Sequence, residues 1–271
     1  MAIKFGLIGG GVMGEALLSR LITRGIYQGS EVIVSEPQEA RRAFLQQQYG
    51  VNVTVDNCRV LTESQEVMML AVKPQILSAI AQELADIFPI QHSPLIISIL
   101  AGVPLKQLEA AFPQLPVIRA MPNTPATVGA GMTAICLGAY TAMNHQQKAQ
   151  EIFTAVGEVA EVPESLMDAV TGVSGSGPAY VALMIEALSD GGVAAGLPRP
   201  VAKQLALQTV LGTAQLIAQT KIHPAELKDR VTSPGGTTIA AVSELEKAGF
   251  RSALIQAVKA AAHRSQELGK G

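Results

Sequence analysis

The chain has 271 residues with 20 basic and 22 acidic side chains, a formal net charge of −2 and a pI of about 6.1. This near balance excludes the strongly basic surface typical of nucleic-acid binders and favours a small, weakly charged ligand. Hydrophobic residues make up 48% of the chain and charged residues 15%, so we expect two domains and additional apolar surface buried between subunits.

The sequence argues against a membrane-spanning helix and against a targeting segment. Its most apolar low-charge stretch, 87–105, is interrupted by Pro89, Pro94 and Pro104, which would break a spanning helix repeatedly. Residues 3–8 are typical of the first strand of a domain and lack the pattern of a secretory signal. We therefore expect a cytoplasmic protein.

Cysteine and histidine spacing gives no sign of a metal or disulfide site. Cys58 and Cys136 lie far apart in the sequence, and each is expected to be a buried packing residue. The four histidines also lack the spacing of metal ligands, and we predict no metal. They are His92, His145, His223 and His263.

The N-terminal stretch "IKFGLIGGGVMGEALLSRLITRG" predicts a dinucleotide site. An apolar strand leads through Gly9, Gly11 and Gly14, in G-x-G-x-x-G spacing, into an amphipathic helix that ends at Gly25. Gly9 permits the tight turn, Gly11 lets the backbone approach a pyrophosphate, and Gly14 allows close packing of helix on strand. The helix N-terminus would then face the phosphates.

The second strand, "EVIVS", ends at Ser35 and is followed by Glu36, which leaves the coenzyme open. An acid at this distance from the glycine loop commonly accepts hydrogen bonds from the adenosine ribose, which favours NAD. Arg41 and Arg42 in the next helix, together with Ser35, would suit the 2′-phosphate of NADP. Glu36 is equally well interpreted as a solvated acid before a helix N-terminus.

Apolar strands and helices then alternate as far as residue 156, which predicts a parallel sheet covered on both faces. Ligands of such sheets bind at the carboxyl ends of the strands. Lys73-Pro74, Ala101-Gly102 and Asn123 each follow a predicted strand, so we expect them to share one cofactor groove with the glycine loop.

The alternation stops at "EVAEVPES", so we place a domain boundary near Pro163, with domains 1–163 and 164–271. The predicted fold class is α/β: an N-terminal Rossmann-type, doubly wound, mostly parallel sheet followed by an all-α dimerisation domain. Two long helices, in 174–196 and 199–220, carry few charges. We expect them to pack against a second subunit, the alternative being a compact monomeric bundle.

The stretch "SPGGTTIAAVSELEKAGF", 233–250, predicts a helix over 237–248 that is preceded by a proline and two glycines. These residues form either a plain turn or a helix N-terminus whose backbone amides are open to an anion.

Several of these motifs together resemble pyrroline-5-carboxylate reductase. They are "AVKP" at 71–74, "RAMPNTP" at 119–125, "VSGSGPAYV" at 173–181 and "HPAELKDRVTSPGGTTIAAVSELEKAGFRSALI" at 223–255, together with the glycine loop. The resemblance covers nearly the whole chain. It implies reduction of the cyclic imine 1-pyrroline-5-carboxylate to L-proline with NADPH or NADH, in a homodimer that often assembles further.

The resemblance also implies a substrate site around the 233–238 loop. Gly235 and Gly236 would let the amides at the start of the helix close around the substrate carboxylate. The Thr238 hydroxyl would hydrogen-bond the ring nitrogen, which makes Thr238 the expected catalytic residue. Further expected substrate contacts are Ser233, Thr237 and Ser176, with Ser174 lining the pocket or only shaping the entrance of the long helix.

On the cofactor side, the resemblance extends the groove along the chain. It places Gly9, Gly11, Val12, Met13 and Gly14 around the pyrophosphate, Ser35 near the adenosine ribose, and Asn57, Ala71, Val72, Lys73, Pro74 and Ala101 toward the nicotinamide. Family members differ at the positions of Glu36 and Arg230, which leaves the preference between the coenzymes open; NADP(H) is expected, with NAD(H) possible.

Two other functions fit parts of the sequence. A hydroxyacid dehydrogenase also joins a Rossmann domain to a helical one, but such enzymes usually use a lysine on a central helix, and "AYVALMIEALSDGG" has none. A non-catalytic nucleotide sensor would keep the cofactor groove, but it has no evident need for a second anion site at 233–238.

Overall fold

The computed structural model describes residues 2–269. Within this range eight strands form one sheet in the order β3-β2-β1-β4-β5-β6-β7-β8. The strands are β1 Phe5–Ile8, β2 Val32–Ser35, β3 Asn52–Thr54, β4 Val67–Leu70, β5 Leu95–Ser98, β6 Val117–Met121, β7 Gly131–Leu137 and β8 Gly157–Glu161.

Helices lie between the strands and then make up the rest of the chain. They are α1 Val12–Thr23, α2 Glu39–Tyr49, α3 Asn57–Glu63, α4 Leu77–Leu84, α5 Leu105–Ala111, α6 Met143–Thr154, α7 Met167–Val170, α8 Gly177–Ala194, α9 Arg199–Thr220, α10 Pro224–Arg230, α11 Thr237–Lys247 and α12 Phe250–Gly269. A π-helix occupies Thr171–Gly175, directly before α8.

The central strands are almost entirely apolar because both faces of the sheet are covered. All four residues of β1 are buried, and so are those of β2, β4 and β5. Side chains alternate between the faces. Leu7 therefore packs into a cluster with Leu17 of α1, whereas Ile8 packs into the opposite cluster with Leu61 of α3.

The prediction of a doubly wound, mostly parallel sheet is confirmed. Strand β1 pairs in parallel with β2 and with β4, so Phe5 lies opposite both Val32 and Val67. One pairing departs from the expected pattern, because β7 runs antiparallel to β6, with Arg119 opposite Cys136. Strand β8 then pairs in parallel with β7.

The chain forms two compact units. The first comprises the residues up to Ser176 together with the end of α12, from Ala260 onward. The second comprises Gly177–Lys259. The sequence-based boundary after residue 163 thus lies within the first unit, before α7 and the π-helix.

In the second unit, α8 and α9 pack against each other and present large apolar side chains to the outside. Leu183 is 67% exposed, Leu205 52% and Leu207 55%. Between residues 2 and 269, every helix is either too short or too polar to cross a bilayer.

Candidate active site

The glycine loop lies where β1 ends and α1 begins, at the carboxyl edge of the sheet. Gly9 has φ +104°, and a Cβ there would lie 2.6 Å from the carbonyl oxygen of Ala71. A Cβ on Gly14 would lie 2.3 Å from the Gly9 carbonyl oxygen. Both positions therefore require glycine, and the loop can approach the neighbouring strand and a ligand closely.

Gly11 is the N-cap of α1, and the space that a Cβ would occupy there is open. Val12, the first residue of the helix, is 75% exposed. The first amides of α1 therefore face accessible space, as a pyrophosphate site requires.

Glu36 follows β2 and turns its carboxylate inward onto the glycine loop. Its Oε2 accepts a hydrogen bond from the backbone N–H of Gly10 at 3.0 Å, and its Oε1 accepts one from Gln38 N–H at 3.0 Å. Glu36 is only 8% exposed, so it is not a solvated helix acid. Ser35 beside it is also buried, and its carbonyl accepts the Gly9 N–H.

Two arginines of α2 surround this corner. Arg41 donates from Nε to the Gly10 carbonyl oxygen at 2.7 Å and forms an ion pair with Glu15 of α1. Arg42 donates from Nη1 to the carbonyl oxygens of Glu36 and Pro37, each at 2.8 Å. The positive charge that a 2′-phosphate would need is therefore close to the end of β2.

Hydrogen bonds from its neighbours favour the ionised form of the Glu15 carboxylate in spite of partial burial. Burial alone would raise the pKa of Glu15, but the hydrogen bonds from Arg41 and from the Tyr49 hydroxyl outweigh it, and the pKa is lowered. Burial and the hydrogen bond to Glu15 raise the pKa of Tyr49 to about 12. Arg41 is thus held between a carboxylate and the glycine loop.

A cavity of about 290 Å³ opens at the carboxyl ends of β4, β5 and β6. It brings together five residues that were predicted to bind the cofactor, namely Met13, Ala71, Val72, Ala101 and Asn123. The rest of its lining is Ile99, Met121, Pro122, Thr124 and Gly175. Residues from the ends of three strands therefore line one cavity together with Met13 of α1, and that this cavity holds the cofactor stays a prediction.

Asn123 is 9% exposed, and both halves of its side-chain amide are engaged within the protein. Its Nδ2 donates to the carbonyl oxygen of Ser174 at 3.1 Å, and its Oδ1 accepts from Met132 N–H at 2.9 Å. Sequence reasoning placed Asn123 in the groove but did not anticipate these partners, because residue 174 is 51 positions away.

The other predicted cofactor residues lie outside this cavity. Lys73 is exposed and precedes a 3₁₀ turn, and Pro74 lines a second cavity of about 700 Å³ that also includes Ala101. Asn57, at the start of α3, donates from Nδ2 to Glu83 at 2.8 Å.

One group of ligand-type side chains gathers within residues 2–269: Asp56, Cys58 and Glu83. Burial raises the pKa of the Cys58 thiol, which disfavours the thiolate that a metal would need. The Glu83 carboxylate already accepts from Asn57. The prediction that the protein has no metal stays a prediction.

The predicted substrate loop lies in the second unit and has the geometry of a tight turn before a helix. Gly236 N–H donates to the Ser233 carbonyl oxygen at 3.1 Å, and Gly235 has φ +67°. This arrangement, with Pro234 in the second position, is that of a type II turn. The loop can therefore be a simple turn and still precede a helix N-terminus whose backbone amides are open to an anion.

Helix α11 begins at Thr237. Its N-cap is Gly236, which has no side chain that could accept a hydrogen bond from the first helix amides. A Cβ on Gly236 would lie 2.3 Å from the Ser233 Oγ, so a larger residue there would displace this hydroxyl. Thr238 is half-buried, and Ser233 and Thr237 are exposed. The first amides of α11 therefore lie at an accessible helix N-terminus, which attracts anions.

The predicted substrate residues divide between the two units. Ser176 is the last residue of the first unit, whereas Ser233, Gly235, Gly236, Thr237 and Thr238 belong to the second. Ser176 N–H donates to the Thr171 carbonyl oxygen at 2.8 Å, which is the five-residue spacing of the π-helix.

Two family models match the chain. One, described as pyrroline-5-carboxylate reductase dimerisation, matches residues 164–268. The other, described as NADP oxidoreductase coenzyme F420-dependent, matches residues 4–102.

Curated proteins match over the full length. A pyrroline-5-carboxylate reductase from Synechocystis sp. is 62% identical over 270 residues, with 100% of both chains covered. The enzyme of the same name from Escherichia coli K12 is 40% identical over 271 residues, again with complete coverage.

Solved structures of the same kind are similar along the whole chain. A pyrroline-5-carboxylate reductase from Coxiella burnetii superposes with a TM-score of 0.92 at 34% identity and covers 100% of both chains. A pyrroline carboxylate reductase from Plasmodium falciparum, with NADP bound, gives a TM-score of 0.87 at 31% identity and 98% coverage of both chains.

Proposed function

The chain belongs to the pyrroline-5-carboxylate reductase family, and from this premise we propose that it reduces 1-pyrroline-5-carboxylate to L-proline with NADPH as hydride donor, NADH being a possible substitute. The observation that carries the proposal is the match at 62% identity over the complete length of the Synechocystis enzyme. The N-termini of α1 and α11 are each preceded by glycine and have accessible backbone amides. They fit the two anions of that reaction, the coenzyme pyrophosphate and the substrate carboxylate.

The residues of the first unit fit a dinucleotide. Gly9 and Gly14 leave no room for a Cβ, and α1 presents open amides at Gly11. We assign the pyrophosphate to the loop from Gly9 to Gly14 and the nicotinamide end to the cavity of about 290 Å³. When bound, the dinucleotide supplies the hydride that reduces the C=N bond.

The substrate carboxylate is assigned to the N-terminus of α11. There the amides after Gly236 and the positive end of the helix dipole attract an anion, and Ser233 and Thr237 are its polar neighbours. The Thr238 hydroxyl would hydrogen-bond the ring nitrogen and hold the imine in one orientation. A protonated imine is already electrophilic, so the protein mainly has to orient it.

The chain is a homo-oligomer through its helical part, since residues 164–268 match the dimerisation model of the family. We propose a homodimer, with further assembly of dimers, and a domain boundary after residue 163. Leu183 and Leu205, each about half or more exposed, supply apolar surface for the contact. Light scattering at micromolar concentration is expected to give a dimer or a multiple of it, and a monomer would contradict the proposal.

A cytoplasmic location is proposed on the state of the cysteines. Cys58 and Cys136 are both free thiols, which suits a reducing compartment. Cell fractionation followed by immunoblotting would test the location.

The function is tested by following the absorbance loss of NADPH and of NADH separately in the presence of pyrroline-5-carboxylate. We expect turnover with the cyclic imine and none with small 2-oxo acids, the substrates of the rival dehydrogenase. Coenzyme binding without any turnover would instead favour a nucleotide sensor and overturn the proposal.

A further inference from the structure

The π-helix at Thr171–Gly175 sets the position of the chain where it leaves the cofactor cavity. Single π turns are rare and are frequent at functional sites. Gly175 lines the cavity of about 290 Å³, and the next residue, Ser176, is a proposed substrate contact. Any shift of this turn would therefore move Ser176.

Asn123 joins the π-helix to the sheet. Its Nδ2 donates to the carbonyl oxygen of Ser174, within the π-helix, at 3.1 Å. Its Oδ1 accepts from Met132 N–H, in β7, at 2.9 Å. One amide thus connects three segments: the residues after β6, the start of β7 and the π-helix.

The two bonds use opposite properties of the side chain. The contact to Ser174 needs a donor and the contact to Met132 needs an acceptor, and the amide of Asn123 offers both at once, which a carboxylate of the same length does not. At 9% exposure, Asn123 has little access to water as a replacement partner. Both polar atoms of the side chain therefore depend on partners within the protein.

A second contact presses the same turn against β6. A Cβ on Gly175 would lie 2.8 Å from the Met121 Cε, so the π-helix backbone rests directly on this methionine at the end of β6. Hydroxyls of the turn bond within the local chain, with Thr171 donating to Met167 and Ser174 donating to Val170. The tertiary hydrogen bond comes from Asn123.

We infer that Asn123 is a positioning residue that holds the π-helix, and with it Gly175 and Ser176, at the wall of the cofactor cavity. It acts through the π-helix, and the cofactor contact that the sequence suggests for Asn123, which lines the same cavity, stays a prediction. The inference deepens the proposed function and rests on it for the identity of the substrate.

Asn123→Asp, measured at a pH at which its carboxyl is ionised, tests this because the carboxylate keeps the shape and the acceptor but removes the donor to Ser174. We expect hydrogen exchange in the segment 171–176 to become about tenfold faster, whereas exchange in the glycine loop stays unchanged. We expect kcat/KM for pyrroline-5-carboxylate to fall by about 10- to 100-fold, with KM for NADPH changed less than about threefold.

A pH profile separates positioning from general damage. The new carboxyl of N123D can donate to Ser174 when it is protonated, and burial beside a carbonyl favours that neutral form. The residues that line the cavity carry no ionisable side chain, so they add no titration of their own. Activity relative to the parent protein is therefore expected to recover as the pH is lowered. Asn144→Asp, on the exposed side of α6, is the matched control and should behave like the parent.

Unchanged exchange in 171–176, or a rise in KM for NADPH equal to that for the imine, would overturn the inference. If N123D does not fold, Asn123→Ser is measured instead, since the shorter side chain fails to reach Ser174 but adds no charge. The exchange experiment needs no substrate, so it tests the positioning role even if the proposed reaction is wrong. Failure of the parent protein to turn over the imine would count against the proposed function alone.

Discussion

The carboxylate of Glu36 accepts a hydrogen bond from the backbone N–H of Gly10, with 3.0 Å between Oε2 and N. The acid at the end of β2 therefore supports the glycine loop directly, and its negative charge is buried at the corner assigned to the adenosine ribose. Arg42 is tied to the main chain of the same residue. We therefore expect coenzyme choice to depend on the balance between this carboxylate and the neighbouring guanidinium groups.

Replacing Glu36 by Gln is expected to shift preference toward NADPH. The amide oxygen can still accept from Gly10, whereas the hydrogen bond from Gln38 N–H and the charge that repels a 2′-phosphate are lost. We expect the ratio of kcat/KM for NADPH to that for NADH to rise about fivefold, the size of one screened charge contact. Kinetics with both coenzymes measure it, and Glu39→Gln in the exposed first turn of α2 is the control. An equal fall in kcat/KM with both coenzymes would show that Glu36 only supports the glycine loop and does not select the coenzyme.

Thr238→Ala is expected to lower kcat by about 10- to 100-fold, because one oriented hydrogen bond to the reacting group is lost. The coenzyme is assigned to the other unit, so KM for NADPH should change little. Thr238→Ser keeps the hydroxyl and should retain most of the turnover. Steady-state kinetics of the three proteins would refute the assignment if kcat of the alanine variant equalled that of the parent.

Thr133→Val is expected to stabilise the protein. Thr133 lies in β7 at 1% exposure, and its hydroxyl has no hydrogen-bond partner in the part of the chain that the structure describes. Valine has the same shape without the desolvated hydroxyl, so we expect a gain of about 1 kcal/mol in the free energy of unfolding. Denaturant titration measures the gain. Thr127→Val, which removes a bonded exposed hydroxyl, should give none; a loss at 133 would point to a buried water.

The N-terminus of α6 is expected to weaken as the pH falls. The Nδ1 of His145 accepts from Ala142 N–H at 3.0 Å, which requires a neutral ring. Burial lowers the pKa of His145 from its ordinary 6.5, so the folded state binds this proton less readily than the unfolded chain. The stabilisation is thus complete above pH 6.5 and is lost as the pH falls through the lower, folded-state pKa.

Melting temperatures recorded between about pH 8 and about pH 5 check this sign. In His145→Glu the carboxylate can accept the same N–H without titrating in that range, so its curve should be flatter. Identical slopes for the two proteins would show that His145 does not contribute.

The central part of the fold is predictable because buried parallel strands are continuous apolar runs. The apolar composition of residues 67–70 and 95–98 is enough to predict buried strands there. The edge strands do not, since β3 is a three-residue segment with an exposed start and β8 has two Glu among its five residues and no buried residue. Such segments become strands only when a neighbour pairs with them.

The antiparallel direction of β7 could have been inferred from chain length. Only residues 122–130 connect β6 to β7, and a parallel crossover needs about a dozen residues or more. The partners of Asn123 could not be inferred in this way, because hydrogen bonds to residues 132 and 174 depend on the assembled sheet and on the π-helix. Local patterns predict several of the residues that line the cavity of the first unit, whereas the hydrogen bonds that hold this lining in place depend on the tertiary fold.

Helix α12 begins in the second compact unit and ends in the first, where Ser265 donates a hydrogen bond to Asp168 at 2.6 Å. The dinucleotide-binding part therefore remains incomplete while the ribosome is still synthesising the last turns of this helix. A nascent chain that has already exposed its whole sheet still lacks the hydrogen bond from Ser265 to Asp168.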